Sequence, residues 1–372
     1  MTSANVRPVR WVIKIGSALI TADDTGLNLD NIRHWCHQFA QLMDSGLELV
    51  LVSSGSIAEG MHRLNWRHRP SDIHQLQAAA AVGQMGLVQT YESELKSHNI
   101  ATAQVLLTHE DLSNRTRYLN ARDTLSTLLN LKVLPVVNEN DTVTTDEIRF
   151  GDNDNLAALV ADLVQAEKLI ILTDQHGLFD KDPRQNTNAT LVANASADNQ
   201  SLLSMAGPSG SAVGSGGMTT KILAAQRASR AGTDTIIANG READVLLRLK
   251  HGESIGTYLH AQPPKLDARR RWLANHLKVC GKIILDAGAR NQLTSGTASL
   301  LAIGITAIEG VFYRGQLVSC IDVDGLEVAR GLVNYSSTEI QQILGRHSSD
   351  IEQILGCINE PEVINRDVMV LM

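Results

Sequence analysis

The segment "DNIRHWCHQFAQLMDSGLELVLVSSG" (30–55), with "RWVIKIG" (10–16) before it, decides the fold class of the chain. Residues 10–16 and the apolar end of the longer segment have the length and composition of buried strands, and the amphipathic part between them is typical of a helix. We predict that this helix has its N-cap at Asp30 and stops at Gly46. A strand, a helix and a second strand in this order favour a parallel sheet with helices on its faces.

The same alternation continues through the first two thirds of the chain. Four further apolar runs have the character of strands, at residues 101–107, 131–138, 167–174 and 233–240. Helical patterns adjoin these runs, for example at residues 119–130 and 219–232. The predicted fold class is therefore α/β, with a parallel sheet between two layers of helices in an α/β/α sandwich.

Length and composition set the broad class of protein. The chain has 372 residues, more than one core usually fills, and its 43% hydrophobic and 20% charged residues are those of a globular protein. Its formal net charge of −7 means that the molecule as a whole does not attract polyanions. Its separated cysteines form no Cys-x-x-Cys pair and are expected to be thiols in a reducing compartment; they are Cys36, Cys280, Cys320 and Cys357. The N-terminus has no signal-like apolar core, and no apolar run is long enough to span a bilayer, so we predict a cytoplasmic protein that does not enter the membrane.

A change in composition and in secondary-structure pattern near residue 262 predicts a second, smaller domain. Residues 262–278 open with two prolines and contain three consecutive arginines, which is typical of a linker with a short helix. From Cys280 onward, short strand-like runs separated by glycine turns indicate a compact, mostly β domain. The predicted divisions are a first domain at 1–262, a linker at 263–279, a second domain at 280–358 and a tail at 359–372.

Polar clusters follow four of the predicted strands, at the point where each strand ends. They lie at residues 14–17, 53–56, 138–141 and 173–174. In a parallel α/β sheet, ligands bind beyond the carboxyl ends of the strands. We therefore expect these four clusters to meet in one crevice.

Two lysines stand out near this expected crevice. Lys14 interrupts an apolar strand, where a buried charge costs several kcal/mol unless it is paired or meets an anion. The alternative is a lysine at a strand end whose ammonium group reaches solvent. Lys221 ends the glycine-rich segment "AGPSGSAVGSGGMTTK" (206–221), which precedes a helical pattern and suits a phosphate, although a flexible surface loop has the same composition. Two lysines beside glycine turns can hold a phosphoryl group from two sides.

The segment "NENDTVTTDEIRFGDNDN" (138–155) is rich in short carboxylates and amides. Asp152 or Asn153 can cap the helix that follows, but one cap needs only one residue. The surplus side chains can bind an ammonium group, orient a lysine or hold Mg²⁺. Ser54 and Gly55 precede another helical pattern, where Ser54 is a plain cap, part of a site for a substrate carboxylate, or both.

These features together predict a kinase for a small substrate that carries both positive and negative charge. A carboxylate acceptor fits such a site, because a pKa of about 4.3 leaves it ionised at neutral pH and no general base is needed. Catalysis then consists of alignment and charge neutralisation.

Several motifs resemble, in order, those of the glutamate 5-kinase family within the amino acid kinase superfamily. They are "VIKIGSALI", "LVSSGSIAEG", "LNARDTL", "PVVNENDTV", "FGDNDNLAALVA", "LTDQHGLFDKDPR" and "GSGGMTTK". The region from about residue 280 resembles a PUA domain. The resemblance implies the amino acid kinase fold and ATP-dependent phosphorylation of the side-chain carboxylate of L-glutamate, with Mg²⁺ accompanying ATP. The product would be L-glutamyl 5-phosphate, and the reaction the first step of proline biosynthesis.

The resemblance also implies roles for individual residues. The catalytic set would be Lys14, Lys221 and Asp154, with the acidic residue orienting the lysines. Glutamate would be held by Ser54, Asp141, Asn153 and Asp152. ATP would be bound by Lys14, Thr173, Asp174, Ser215, Gly216, Gly217, Met218, Thr219, Thr220 and Lys221. Asp180 and Lys181 stand where the family more often has Thr-Ala before Asp-Pro-Arg, and this places the contacts on the adenine side in doubt.

The resemblance further implies proline as a feedback inhibitor and a homo-oligomer, either a dimer or a tetramer. PUA modules resemble RNA binders, so a rival hypothesis is a chain that chiefly binds RNA through a basic face around Arg269 to Arg271, Arg290 and Arg314. The acidic balance of the chain argues against this as its main role. A nearer rival is another amino acid kinase, in which the carboxylates of residues 138–155 recognise a different substrate.

Overall fold

The computed structural model describes residues 9–22, 26–144, 153–207, 217–261, 277–295, 298–356 and 360–372. The chain folds as two compact units, residues 1–265 and 266–372. Within the described part of the chain, no helix is long and apolar enough to cross a membrane.

The first unit is built on an eight-stranded sheet. Its strands are β1 (Arg10–Ile15), β4 (Glu48–Ser53), β5 (Thr102–Leu107), β6 (Leu134–Glu139), β7 (Lys168–Thr173), β8 (Asn194–Ser196), β9 (Asp234–Asn239) and β10 (Thr257–His260). Their spatial order is β5-β6-β4-β1-β7-β9-β10-β8. All neighbours are parallel except β9 and β10. The described residues of this unit also form a two-stranded antiparallel ribbon, β2 (Thr21–Ala22) and β3 (Gly26–Leu27).

Helices cover both faces of the large sheet. They are α1 (Ser17–Ile20), α2 (Leu29–Asp44), α3 (Ser56–Arg63), α4 (Ile73–Lys96), α5 (His109–Ser113), α6 (Arg115–Asn130), α7 (Asn153–Leu163), α8 (Ser201–Met205), α9 (Met218–Arg230) and α10 (Val245–Lys250). Trp11, Ile13 and Ile15 of β1 pack into one core cluster with residues of α2, α4 and α10. Because side chains alternate along a strand, Lys14 points to the opposite face, where α7 contacts β1. The predicted parallel α/β/α fold is confirmed.

The ends of α2 test the capping predictions. Its N-cap is Asn28, whose side chain accepts a hydrogen bond from the backbone nitrogen of Asn31 at 3.1 Å. The prediction of Asp30 as the cap is wrong, because the helix begins at Leu29 and Asp30 lies in its first turn. Gly46 follows the C-cap residue Ser45 with φ of +93°, so the predicted stop is confirmed.

Helices α3 and α4 pack with almost no space between their backbones. A Cβ atom added at Gly83 of α4 would lie 1.8 Å from the carbonyl oxygen of Ser56, and one added at Gly60 of α3 would lie 1.7 Å from that of Ala79. Only glycine permits this approach. The crossing holds Ser56, the first residue of α3, against the middle of α4.

We expect Gly83→Ala to lower the free energy of unfolding by about 2 kcal/mol or more, because the two helix backbones must separate to admit the methyl group. Thermal unfolding followed by circular dichroism measures this change. Gly288→Ala is a matched control, since the added Cβ would meet only the side-chain oxygen of Asp286, at 3.3 Å. Equal melting temperatures for Gly83→Ala and the parent chain would contradict the tight crossing.

The second unit is built on a five-stranded sheet, in the order β12-β11-β13-β14-β15. Its strands are β11 (Val279–Leu285), β12 (Ile305–Glu309), β13 (Leu317–Ile321), β14 (Glu327–Leu332) and β15 (Met369–Leu371). Its helices are α11 (Ala287–Thr294), α12 (Ser337–Ile343) and α13 (Ile351–Leu355). The predicted smaller, mostly β domain is confirmed. Most of the predicted linker, residues 263–276, lies outside the described residues, and β15 of the predicted tail pairs with β14.

Candidate active site

Two lysines from different elements meet on one buried carboxylate. Lys14 Nζ lies 2.7 Å from Asp154 Oδ1, and Lys221 Nζ lies 3.1 Å from Asp154 Oδ2. Asp154 is 1% exposed and each lysine is 5% exposed. The alternative of a solvent-reaching Lys14 is therefore wrong, because its ammonium group is paired inside the protein.

The sheet explains why these three side chains meet. Lys14 lies at the carboxyl end of β1, a central strand between β4 and β7. Asp154 is in the first turn of α7, and Lys221 is in the first turn of α9. Helices α7 and α9 pack against each other, which brings their first turns to the same end of the sheet. Lys14 and Lys221 are 207 positions apart in the sequence, so only the fold brings them to the same carboxylate.

Opposing influences act on the ionisation of this trio. Burial alone would raise the pKa of Asp154, but the charges of Lys14 and Lys221 and a hydrogen bond from Thr220 hold it well below its usual range. For Lys221, burial lowers the pKa of the ammonium group and the charge of Lys14 adds to this, whereas Asp154 and Asp174 oppose it. Asp154 is therefore ionised at neutral pH.

The first turn of α9 offers further groups to an anion. Its N-cap residue is Gly217, which has no side chain to cap this end of the helix. Thr220 Oγ1 lies 2.7 Å from Asp154 Oδ2 and 2.8 Å from the carbonyl oxygen of Gly217. Its hydroxyl hydrogen can be donated to either oxygen. Thr219 Oγ1 donates to the carbonyl oxygen of Gly207 at 3.2 Å, across the glycine-rich segment. Uncapped backbone N–H groups at a helix start are suited to bind phosphate.

A line of amides and a hydroxyl lies beside the lysine pair. Asn153 Nδ2 donates to Ser54 Oγ at 2.8 Å and to Asn138 Oδ1 at 3.0 Å. Asn138 Nδ2 donates in turn to Oε1 of Gln84, a buried residue of α4, at 2.7 Å. Asn153 Oδ1 is buried and has no hydrogen-bond partner in the described part of the chain. An amide oxygen without a partner accepts a donor from a ligand readily.

The start of α3 lies next to this line. Its N-cap is Gly55, in the left-handed region with φ of +105°, and this glycine has no side chain to cap the helix. Ser54 is therefore not the plain cap that was one alternative, because its hydroxyl accepts from Asn153 instead. Ser56 Oγ donates to Asp141 Oδ2 at 3.1 Å, which brings a carboxylate to the same helix end.

A cavity of about 540 Å³ extends the site beyond β7. It is lined by Gln175, Leu178, Phe179, Lys181, Asp182, Pro183, Arg184, Gln185, Met205, Ala206, Gly207, Gly217, Met218 and Thr219. Thr173 and Asp174, at the end of β7, are joined by a hydrogen bond of 3.1 Å. Of the two unusual residues before Asp-Pro-Arg, only Lys181 lines the cavity, because the Asp180 carboxylate accepts from the backbone nitrogen of Thr190.

The structure brings together most of the residues that the sequence singled out. Lys14, Asp154, Thr220 and Lys221 form one cluster, Ser54 and Asn153 lie in the adjoining amide line, and Asp141 contacts the start of α3. Asp152, Ser215 and Gly216 lie outside the described residues. Gln84 was not singled out, although it is a lone amide in the apolar run "AAAAVGQMGLV" (78–88).

Comparisons with known proteins show the family of the chain. A family model described as the amino acid kinase family matches residues 9–239, and a PUA domain model matches residues 281–355. A glutamate 5-kinase from Nitrosospira multiformis is 57% identical over 363 residues. A glutamate 5-kinase from Burkholderia thailandensis is 58% identical over 363 residues. In both cases 98% of this chain and 98% of the relative are covered.

A solved structure of more distant sequence is also similar. The UMP kinase from Bacillus anthracis matches with a TM-score of 0.48 and 17% identity, covering 69% of this chain and 98% of that chain. Family assignment rests on the sequence matches, which span both units. The chain therefore belongs to the amino acid kinase family, and within it to the group that contains the glutamate 5-kinases.

Proposed function

We propose that this chain transfers the γ-phosphoryl group of ATP to the side-chain carboxylate of L-glutamate. The product is L-glutamyl 5-phosphate, and the reaction is the first step of proline biosynthesis from glutamate. The observation that carries the proposal is the meeting of Lys14 and Lys221 on Asp154, beside a line of amides suited to a small zwitterion.

The reaction needs little from the protein in the way of proton transfer. The acceptor carboxylate, with an ordinary pKa of about 4.3, is already ionised at neutral pH. One of its oxygens forms the new bond to the γ-phosphorus, and the bond from that phosphorus to the β–γ bridging oxygen breaks, leaving its electron pair on ADP. The barrier comes mainly from bringing two anions together, so positive charge and alignment are the useful catalytic groups.

Lys14 and Lys221 supply that charge. Their ammonium groups approach the Asp154 carboxylate from its two oxygens, so Asp154 fixes both of them in place. This carboxylate acts as a positioning residue, because its Oδ1 is ion-paired with Lys14 and its Oδ2 accepts hydrogen bonds from Lys221 and Thr220. Two fixed ammonium groups would stabilise the charge on the transferring phosphoryl group without reorganising during the reaction.

The nucleotide would occupy the cavity beyond β7. The uncapped start of α9 lies at one side of this cavity, where its N–H groups can bind the phosphates. Thr173 and Asp174 directly precede Gln175, which lines this cavity. Mg²⁺ would enter bound to ATP, since Mg²⁺ is usually held by substrate phosphates with one or two carboxylates. Among the described residues, no group of three or more acidic, histidine or cysteine side chains surrounds a metal position.

Glutamate would lie along the amide line. The unpartnered Asn153 Oδ1 can accept from the substrate ammonium group, and the Asp141 carboxylate adds a negative charge nearby. Ser54 Oγ accepts from Asn153, so its own hydrogen can be donated to a substrate carboxylate. The uncapped start of α3 supplies backbone N–H groups for the same carboxylate.

A substrate panel tests the proposed function. ATP turnover should be measured with L-glutamate, L-aspartate, N-acetyl-L-glutamate and UMP, and the acyl phosphate trapped as a hydroxamate. We expect glutamate to give ADP and hydroxamate in equal amounts, at a rate at least ten times that of the others. Faster turnover of another acceptor would assign the site to a different amino acid kinase activity.

Replacing Asp141 by Ala is expected to raise the KM for glutamate by about ten- to a hundredfold, because a charge-assisted contact to the substrate ammonium is lost. The KM for ATP should change by less than about twofold. Steady-state kinetics with each substrate varied in turn measure both constants. Asp198→Ala, at an exposed site, serves as the control. An equal rise in the KM for glutamate and the KM for ATP would contradict the assignment of Asp141 to the glutamate site.

Three further proposals come from the family resemblance alone. They are feedback inhibition by proline, a homo-oligomer of two or four chains, and RNA binding by the PUA domain. Arg290, part of the suggested basic face, is paired with Asp322 at 3.3 Å, and Arg269 to Arg271 lie outside the described residues. Assays with and without proline, the solution mass and salt-dependent RNA retention test these proposals separately.

A further inference from the structure

The amide line behind the proposed glutamate site ends on helix α4. Gln84 Oε1 accepts from Asn138 Nδ2 at 2.7 Å, and Asn138 Oδ1 accepts from Asn153 Nδ2 at 3.0 Å. Both ends of the Asn138 amide are thereby engaged, so its two partners set its orientation. The nitrogen of Asn153 must then face Asn138, and its oxygen must face away from it.

Packing alone does not explain a glutamine at position 84. Gln84 is 7% exposed and lies between the buried residues Gly83 and Leu87 of α4. Its Nε2 is buried and has no hydrogen-bond partner in the described part of the chain. A buried donor without a partner destabilises the folded state, and an apolar residue of the same length would avoid that cost. Its polar side chain is therefore better explained by the amide that it orients.

We propose that Gln84 is a positioning residue for the amino-acid substrate. Through Asn138 it holds the amide of Asn153 so that Oδ1 faces the substrate ammonium group. This inference rests on the proposed function. An ammonium group can only donate hydrogen bonds, so an Asn153 amide turned the other way would oppose two donors and weaken substrate binding. The hydrogen bond of Gln84 goes to Asn138, whereas Lys14 and Lys221 pair with Asp154, so we expect its effect to fall on glutamate binding rather than on the chemical step.

The test is the kinetics of Gln84→Met, which keeps the length of the side chain and removes its hydrogen bonds. We expect the KM for glutamate to rise about tenfold, with the KM for ATP changed by less than about twofold and kcat by less than about threefold. An unchanged KM for glutamate in a folded, active variant would overturn the positioning role.

Gln38→Met is the matched control. Gln38 of α2 is also buried, and its Oε1 also accepts one hydrogen bond, from the backbone nitrogen of Leu246 at 2.9 Å. Its Nε2 also lacks a hydrogen-bond partner in the described part of the chain. This control should lower the melting temperature without changing the KM for glutamate. An equal KM rise in both variants would show a general effect of lost stability and would overturn the proposal.

Combination with Asn153→Ala separates positioning from direct contact. If Gln84 acts through Asn153, adding Gln84→Met to Asn153→Ala should raise the KM for glutamate no further. An independent tenfold rise in that background would contradict the proposal. If Gln84→Met does not fold, Asn138→Ala interrupts the same line, and an unchanged KM for glutamate there would overturn it equally. Absence of glutamate phosphorylation by the parent chain would instead refute the proposed function.

Discussion

Replacing Lys221 by Ala is expected to lower kcat by about two to three orders of magnitude while the chain stays folded. Lys221 supplies one of the two ammonium groups at the proposed phosphoryl position, and its loss leaves the developing charge balanced from one side only. The fold should survive, because Asp154 keeps its ion pair with Lys14 at 2.7 Å. Hydroxamate trapping at saturating glutamate and ATP measures the rate.

A lysine on the same sheet provides the control. Lys168 is the first residue of β7, at the opposite end of that strand from Thr173, and Lys168→Ala should keep near-normal kcat. Near-normal turnover in Lys221→Ala would eliminate the two-lysine mechanism. Loss of the folded circular dichroism signal would instead assign Lys221 a structural role.

Replacing Asp154 by Asn is expected to destabilise the first unit by about 3–5 kcal/mol at neutral pH and to abolish turnover. The variant removes the charge of the carboxylate with which both buried ammonium groups pair, at a position that is 1% exposed. Chemical unfolding at several pH values measures the change, with activity assayed on the same samples.

The pH dependence has a definite sign. The folded-state pKa of Asp154 is lowered despite burial, by the charges of Lys14 and Lys221. Its ionised form therefore stabilises the fold above the unfolded-state pKa of about 3.9, and this contribution is lost as the pH falls through the lower folded-state value. The stability difference between the parent chain and Asp154→Asn should thus be constant near neutrality and shrink below about pH 4. A difference that grew with acidity would contradict the buried ion pair.

Much of the fold could be predicted from periodicity. The apolar runs at 10–16, 47–55 and 167–174 are strands of the large sheet, because their lengths and β-branched content leave few alternatives. The N-cap of α2 was misplaced by two residues, at Asp30 instead of Asn28, because both residue types cap helices well and the sequence does not show where the helix begins.

The candidate site could be predicted only in part. Lys14 is conspicuous as a charge inside an apolar strand, and the structure pairs it with Asp154. Its pairing with the same carboxylate as Lys221 depends on how α7 and α9 pack, which local pattern does not determine. The sequence does not indicate a role for Gln84, because that role comes from a hydrogen bond with Asn138, 54 positions away. The neighbouring residues of the helix are mostly apolar and do not suggest a site.

A crystal structure with ADP, aluminium fluoride and L-glutamate tests the central claim most directly. Aluminium fluoride mimics the phosphoryl group in transfer. We predict that Lys14 Nζ and Lys221 Nζ both lie within about 3 Å of its fluorine atoms, with the glutamate side-chain carboxylate in line on the far side from ADP. A complex in which only one lysine contacts the fluoride, or in which the two point into separate cavities, would contradict it.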